Sequence, residues 1–373
     1  MEPRNRVIDA DGHTLEPGDL IHRYIDARYR ERVVDSAEGR LVDGRKVSRH
    51  PPHTLESLRF TPDLISERFG DLAADRFSAR AVVRALDVEG IDISVIYGPL
   101  YDCWLEGMDP ELGCAIARAY SRWLSEYVAE SGGRIRGAAP IPLHDVNLAL
   151  RELEYAYENL GHRAFWTRPN PVGGRMLGHG DFDPFFAAVE GLGVPLSLHE
   201  GSGSMMQNIG NDRFNESWLE QHACVHPMEQ QMAMLSLIGQ GVFERHPGLR
   251  VAFMESGSAW LPAWLHRLDE HAELVGWKDA PYLTARPSEY FQRQCYIACD
   301  PDEELLYQVV DVVGDAKVIF ATDFPHPDSR YPNAVKSFLG LPRVPDESKR
   351  RILWDNAIRF YGFGDADLQV APL

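Results

Sequence analysis

Asp11 and His13 stand two residues apart at the end of the chain's first apolar run, Val7-Ile8-Asp9-Ala10-Asp11-Gly12-His13. On a strand, residues i and i+2 point to the same face. A carboxylate and an imidazole on one face make half of a metal site. The other reading of this pair is a polar loop after an edge strand. Later apolar runs end in the same way. His199 closes Pro195–Leu198 and is followed by Glu200; Glu255 closes Leu249–Met254; Asp300 follows Cys295–Cys299. Asp323 closes Val318–Thr322, and His326 lies three residues beyond it. Any one of these fits a helix cap or an ion-pair partner. Their recurrence at the ends of separate runs points to one shared metal site. Imidazoles and carboxylates without thiolate suit zinc, iron, manganese or nickel.

A second group follows His199. His222-Ala223-Cys224-Val225-His226 sets two imidazoles four residues apart, with Glu229 three further on. Residues i and i+4 share a helix face. On a helix leaning over the site, His222, His226 or Glu229 would complete a second metal position; the other reading is a surface or capping pair. His246 precedes a Pro-Gly turn and reads as structural. Trp104, Trp166, Trp218 and Trp260 are candidate pocket walls, with ordinary core as the plainer reading.

The elements that must position these residues come in a regular order. Short apolar strands are expected at 7–13, 93–98, 135–141, 164–167, 195–199, 249–255, 295–299 and 318–323. Helical spacing covers 110–130, 146–160, 182–192, a Met-rich stretch at 227–245, then 258–275, 303–313 and 346–360. Eight strands mostly separated by helices predict the α/β class, as a single (β/α)8 TIM-barrel domain over residues 1–373. In that architecture function collects at the C-terminal ends of the strands. Residues 15–90 interrupt the alternation. They are polar, broken by Pro51-Pro52 and Pro62, with helical patches at about 53–70 and 74–89. This long insertion after strand one is expected to act as a lid.

With 44% hydrophobic and 25% charged residues in 373, the composition is that of an ordinary globular protein. A net charge of -18 excludes a general nucleic-acid binder. No apolar run reaches the ~18 residues of a membrane span, and Met1–Arg6 lacks the apolar core of a signal peptide. A cytoplasmic location is therefore expected. Five scattered cysteines fit no zinc pattern and suit reduced thiols. The charge is uneven: residues 1–60 hold 11 Lys/Arg and 11 Asp/Glu, against 27 and 45 in the remainder. Arg23, Arg28, Arg30, Arg32, Arg40, Arg45, Lys46 and Arg49 thus form a basic stretch on an acidic body. It reads either as a solvated loop with charge pairs or as a rim for an anionic substrate, with Arg28, Arg45 and Arg49 the candidate binding residues.

Several motifs together carry a family resemblance. Ile8-Asp9-Ala10-Asp11-Gly12-His13, His199, Ala321-Thr322-Asp323-Phe324-Pro325-His326 and Trp354–Gly362 resemble the amidohydrolase-related family typified by aminocarboxymuconate-semialdehyde decarboxylase. The resemblance covers nearly the whole chain. It implies a metal-dependent barrel of hydrolases and nonoxidative decarboxylases. The family's metal ligands carry over to Asp11, His13, His199 and Asp323. Two positions depart from the family pattern. The strand-one pair is Asp-x-His rather than His-x-His or Glu-x-His. The catalytic histidine that the decarboxylases hold at the end of strand six is replaced by Glu255, within Met254-Glu255-Ser256-Gly257.

An unperturbed Glu does not titrate near neutral pH as a His does, so Glu255 reads as an extra metal ligand. Asp11, His13, His199, Glu255 and Asp323, with His222 and His226, provide ligands enough for two metals. That pattern resembles the TIM-barrel nonheme di-iron monooxygenases, the platensimycin/platencin-type diterpenoid hydroxylases. The leading expectation from this resemblance is an oxidoreductase holding two irons. It would use O2 and an electron donor to hydroxylate an aliphatic, terpenoid or other acyl substrate, free or linked to coenzyme A, as in secondary metabolism. The basic stretch would then meet the coenzyme-A phosphates. The alternative is a mononuclear zinc or manganese hydrolase or decarboxylase, with Glu255 or His326 transferring the proton. Neither expectation includes a nucleic-acid or membrane partner; a homodimer is the simplest assembly.

Overall fold

The computed structural model describes residues 5–36, 39–47, 61–98, 101–201, 208–210, 213–214, 218–326 and 329–369. Eight short runs form parallel strands: β1 (Ile8–Gly12), β2 (Ile93–Ile96), β3 (Ile135–Pro140), β4 (Ala164–Thr167), β5 (Pro195–Leu198), β6 (Arg250–Phe253), β7 (Cys295–Cys299) and β8 (Val318–Phe320). They pair in chain order around a nearly closed barrel, as expected of the (β/α)8 class. Every residue of β1, β2, β4, β5, β7 and β8 is buried. A parallel strand covered on both faces has no solvent side, which is why these runs read as continuous apolar stretches rather than alternating ones.

Helices fill the outer layer. Pro110–Ala129, Val146–Glu158, Asp183–Leu192, Trp218–Gly239, Leu261–Asp279 and Leu306–Val312 follow successive strands. Their starts are chemically marked. Asp109 accepts from Glu111 N–H and Asp145 from Leu148 N–H, each satisfying a donor that the first turn leaves open. Among the described residues no helix is long and apolar enough to cross a membrane. All five cysteines are free thiols.

Where β8 returns to β1 the pairing is sparse. Asp323 N–H donates to Asp11 O at 2.9 Å and His13 N–H to Phe324 O at 2.6 Å. Between them the buried Asp9 carboxylate accepts from Thr322 N–H (2.9 Å), the Thr322 hydroxyl (2.9 Å) and the Ser94 hydroxyl (2.8 Å). Asp9 so ties β8, β1 and β2 together. Burial pushes its carboxyl up to about 6, against the pull of those hydrogen bonds. In β1 itself, Asp9 faces Ser94 but Gly12 faces Ile96, so β1 carries one extra residue as a bulge.

The insertion holds structure that the sequence reading missed. Val33–Ser36, Gly39–Val42 and Arg45–Lys46 form a small antiparallel sheet. These strands are only two to four residues long, too short to set up an alternation that registers as a strand. The two helical patches are observed as Pro62–Phe69 and Ala79–Glu89, with the four-residue turn Asp71–Ala74 between them; the expected residues 53–60 lie outside the described residues. The Met-rich helix starts at Trp218, not 227, and contains Pro227. A proline reads as a helix start because it lacks the N–H, but here it is accommodated inside. Helices Pro287–Gln294 and Ala334–Leu339 were also not anticipated.

Two outcomes test this reading. Asp9→Ala strands three buried donors at the seam, and urea unfolding should show a loss of about 2–4 kcal/mol; a loss under half a unit would mean that the seam does not depend on Asp9. His162 is buried between Gly137 O and Ser121 O, and burial lowers its imidazole below the ordinary 6.5. Below pH 6.5 the unfolded chain therefore takes up a proton that the folded chain refuses, so stability falls as pH falls through that range. In His162→Gln, urea midpoints compared at pH 5 and 7.5 should differ less than in the parent chain.

Candidate metal centre

The strand-end residues converge. β1 delivers Asp11 and His13, β5 delivers His199, β6 delivers Glu255, and the chain after β8 delivers Asp323 and His326. His199 Nε2 lies 3.2 Å from Asp11 Oδ1. His13 Nε2 lies 3.6 Å from Asp11 Oδ1 and 3.0 Å from Asp323 Oδ1. His326 Nδ1 is 2.7 Å from that same Asp323 oxygen, and its ring stacks on His13 with centroids 4.2 Å apart. Ligand atoms of Asp11, His13 and His199 all fall within 4.8 Å of one another, and so do those of His13, Asp323 and His326.

The surroundings orient each imidazole. His13 Nδ1 meets the backbone carbonyl of Tyr97 at 3.1 Å, so it carries the proton and turns Nε2 toward the carboxylates. His199 is held by the Tyr97 ring, stacked at 5.1 Å, and by Trp166 at 5.5 Å. Of the four tryptophans proposed as walls, Trp166 is the one packed on a site imidazole, and Trp104 stands behind it at 4.5 Å. Trp260 is half-buried against the core, and the Trp218 side chain lies outside the described residues.

Glu255 occupies the middle of a second cluster. Its Oε2 is 3.2 Å from His199 Nδ1, and its Oε1 is 3.7 Å from His226 Nδ1 and 3.9 Å from His326 Nδ1. His226 Nδ1–H also donates to the Glu255 carbonyl at 2.8 Å. The His222 ring packs against His226 with centroids 4.4 Å apart and planes tilted by 39°, so the i, i+4 pair does share a helix face at the barrel mouth. Glu255 and Asp323 both have left-handed backbone, with φ of 51° and 55°. Residues with a Cβ avoid that region, and two of them at one site mark a backbone bent to aim carboxylates inward. Sequence spacing carries no signal for this.

The electrostatics suit a site that takes up a positive charge. Burial lowers His13, and lowers His199 and His226 to about 3, so all three imidazoles are neutral with a lone pair to offer. Burial likewise pushes the Asp11 carboxyl up to about 7, although His13 opposes it. At Asp323 burial works in the same sense, yet His326 and His13 overcome it and hold the carboxyl well below the usual range. His13 Nε2, His199 Nδ1, His226 Nε2 and Asp323 Oδ1 are buried without a hydrogen bond of acceptable geometry. Such atoms are costly unless something binds them. The donor set and the orphaned atoms both fit a divalent cation.

Other expected residues sit elsewhere. Glu229 turns away from the centre and accepts from Ile209 N–H. Glu200 pairs with Arg168, which also bonds Asn170 and Asn208, in a buried polar network next to His199. Arg28 pairs with Glu111 and lines a separate cavity with Tyr29 and Cys114. Arg45 bonds the carbonyl of Glu106. Arg49 lies outside the described residues. With Arg45, two more residues of the basic stretch engage the loop after β2: Arg32 reaches Asp109 at 2.7 Å, and the fully buried Arg40 pairs with Asp35 and Asp102. These arginines fasten the insertion to the barrel. At these strand ends opens a cavity of about 340 Å³, lined by Asp11, His222, His226, Glu255, Asp300 and Arg330 among others.

The chain can be placed among known proteins. It is 26% identical to 2-amino-3-carboxymuconate-6-semialdehyde decarboxylase of Dictyostelium discoideum over 75% of each chain. It is 28% identical to gamma-resorcylate decarboxylase of Rhodococcus jostii, over 56% of this chain and 66% of that one. A dihydroxybenzoic acid decarboxylase structure from Polaromonas, with bound manganese and the inhibitor 2-nitroresorcinol, superposes with a TM-score of 0.68 at 20% identity, covering 96% and 97% of the two chains. These relatives are decarboxylases, and they overturn the expectation of a di-iron monooxygenase and of the oxidoreductase class. Losing CO2 exchanges a C–C bond for a C–H bond with no net redox, so it calls for neither O2 nor an electron donor. Two irons and an acyl-CoA substrate likewise draw no support from them. The family model described as Amidohydrolase matches residues 105–363, and the chain belongs to that family.

Proposed function

We propose that this protein is a divalent-metal-dependent, non-oxidative decarboxylase of a small carboxylic acid. The observation that supports it most is the convergence of Asp11, His13, His199 and Asp323 at the C-terminal mouth of the barrel, where buried nitrogen and oxygen atoms lack hydrogen-bond partners. Those four side chains would hold one manganese or zinc ion. When bound, the ion supplies a Lewis acid that grips the substrate's oxygens and draws electron density from the carboxylate.

The rest is the work of the chain. Tyr97 O fixes the tautomer of His13, and the Tyr97 and Trp166 rings hold His199 still and keep water out. When the C–C bond breaks, its electron pair stays on the carbon, CO2 leaves, and that carbon must take a proton. Glu255 lines the cavity and is the group we assign to this transfer. It differs from the histidine that the family resemblance places there, but His226 and His326 flank its Oε1 at 3.7 and 3.9 Å. The His226 Nδ1–H is taken by the Glu255 carbonyl, so His326 is the imidazole that would return the proton Glu255 gives up.

Three measurements bear on this. Manganese-loaded protein should release CO2 from hydroxylated aromatic or unsaturated acids and lose that activity to a chelator. No CO2 from any such acid, with manganese or zinc bound, would sink the proposal. Elemental analysis should find about one ion per chain; two would assign a second ion to the His326, Glu255 and His226 side of the site. Glu255→Gln should keep the metal and lower kcat by about 10²–10⁴-fold. Glu255 also allows a stability test of its left-handed backbone. Glu255→Gly should be more stable to urea than Glu255→Ala by about 1 kcal/mol, since only glycine adopts that φ without cost, while both are inactive. Equal stabilities would show that the backbone relaxes once the carboxylate is gone.

A further inference from the structure

We propose that the floor of the barrel holds a second binding site, which takes an aromatic carboxylate and is linked through Tyr361 and Tyr97 to the histidines of the metal centre. The inference goes beyond the decarboxylase reading and does not depend on it. The N-terminal ends of β3, β4 and β5, with the end of the last helix (Asn356–Tyr361), enclose a cavity of about 430 Å³. It lies at the opposite end of the barrel from Asp11 and His199. A pocket of that size accommodates a single ring bearing a carboxylate.

The lining calls for a ring and an anion together. Val128, Leu160, Leu192 and Val194 give aliphatic walls, and Tyr157, Tyr361 and Phe363 give aromatic ones. The charged groups are Arg136, Arg163 and Asp367, a net positive charge in a chain of -18. His162 and Ser125 also line the cavity, but backbone carbonyls hold their polar atoms: those of Gly137 and Ser121 for His162, that of Leu160 for Ser125. Both guanidiniums lie against the aromatic walls, Arg163 at 4.0 Å from the Tyr157 centroid and Arg136 at 5.9 Å from that of Phe363. Their hydrogen bonds go to backbone carbonyls: Arg136 to Gly133, Ile135 and Asp367, Arg163 to Tyr157 and His162. A carbonyl accepts a hydrogen bond without cancelling the charge. Burial pulls the Arg136 guanidinium below its ordinary value, with Asp367 acting against it. An aromatic carboxylate brings what the cavity lacks: two oxygens matched to a guanidinium fork, and a ring for the walls.

One side chain joins this floor to the barrel mouth. Tyr361 lines the cavity and stacks on Phe363, with centroids 5.2 Å apart and planes within 15°. Its hydroxyl reaches into the barrel, where it lies 2.9 Å from the Tyr97 hydroxyl and donates to the Ala10 carbonyl at 2.8 Å. Tyr97 in turn presents its carbonyl to His13 and its ring to His199. A ligand packed on the Phe363–Tyr361 pair holds Tyr361, and through it Tyr97, in place. His13 and His199 then give up less freedom when a metal binds, so filling the floor tightens metal binding above. By linkage the effect is reciprocal.

The test is calorimetric, on the full-length chain at neutral pH, with benzoate and benzyl alcohol as probes of similar shape. In protein stripped of metal, benzoate should bind about tenfold more tightly than the alcohol. Arg136→Gln should erase that preference. Arg163 is exposed, so Arg163→Gln, expected to weaken benzoate about threefold, keeps the test open if Arg136→Gln fails to fold. Equal affinities for the two probes, or a preference that survives in every folded arginine variant, would overturn the site. The link is read from manganese titrations with and without saturating benzoate. Benzoate should lower the manganese Kd about threefold in the parent chain. It should leave that Kd unchanged in Arg136→Gln and in Tyr361→Phe, which lacks the joining hydroxyl. No tightening in the parent chain would overturn the link. A tightening that persists in Arg136→Gln would overturn it too, by placing benzoate on the metal itself. Failure to release CO2 from any acid would remove the decarboxylase reading and leave both results standing.

Discussion

Where β8 meets β1, backbone pairing thins to two hydrogen bonds, and the carboxylate of Asp9 bridges the gap by accepting from Thr322 and Ser94. The constraint matters because the candidate metal centre straddles this seam. Asp11 and His13 come from one side of it, Asp323 and His326 from the other. A barrel that opened there would pull the two halves of the site apart. Both backbone bonds of the seam involve site residues or their neighbours, Asp323 to Asp11 and His13 to Phe324. Closing the fold and assembling the centre are therefore one event.

The centre itself illustrates why burial alone does not decide protonation. Asp11, His13, His199 and His226 are shut away from water, and that exclusion penalises whichever form is charged. Asp11 and the histidines yield to that penalty. Asp323 does not, because two imidazoles converge on it from His13 and His326. One carboxylate is thus kept as an anion within a group whose members are otherwise driven toward neutrality. Tyr97 contributes twice, through its carbonyl to His13 and its ring to His199, and its hydroxyl is anchored in turn to Ser197 and Tyr361. The aromatic floor of the site is tied into the barrel interior rather than merely packed against it.

Much of this was legible in the residue order. Eight apolar runs and the ionisable residues that close them follow from strand burial and chain alternation, so the barrel, Asp11, His13, His199, Glu255 and Asp323 could be gathered before any coordinates. What was not legible has physical reasons. The small sheet at 33–46 is made of runs of two to four residues, so no periodicity announced it. Arginines such as Arg32 and Arg40 look the same in a sequence whether they face solvent, a phosphate or Asp102 and Asp109. Asp9 gave no sign of being a seam clasp, because its partners are distant in the chain. The step from many ligands to two irons failed for a related reason. Residue types count the donors available, but a carboxylate beside an imidazole can orient it or move its proton as well as bind a metal.

The bulge in β1 has a consequence for how such a barrel can change. One residue more than its partner strand needs separates Asp9, which serves the seam, from Asp11, which serves the cavity. Loss of a single codon in this stretch would restore regular pairing with β2 and shift His13 out of phase with its partners. A tidier barrel without a metal centre is therefore one short deletion away, and retaining the irregularity is a price in local order that only the chemistry at the barrel mouth can justify.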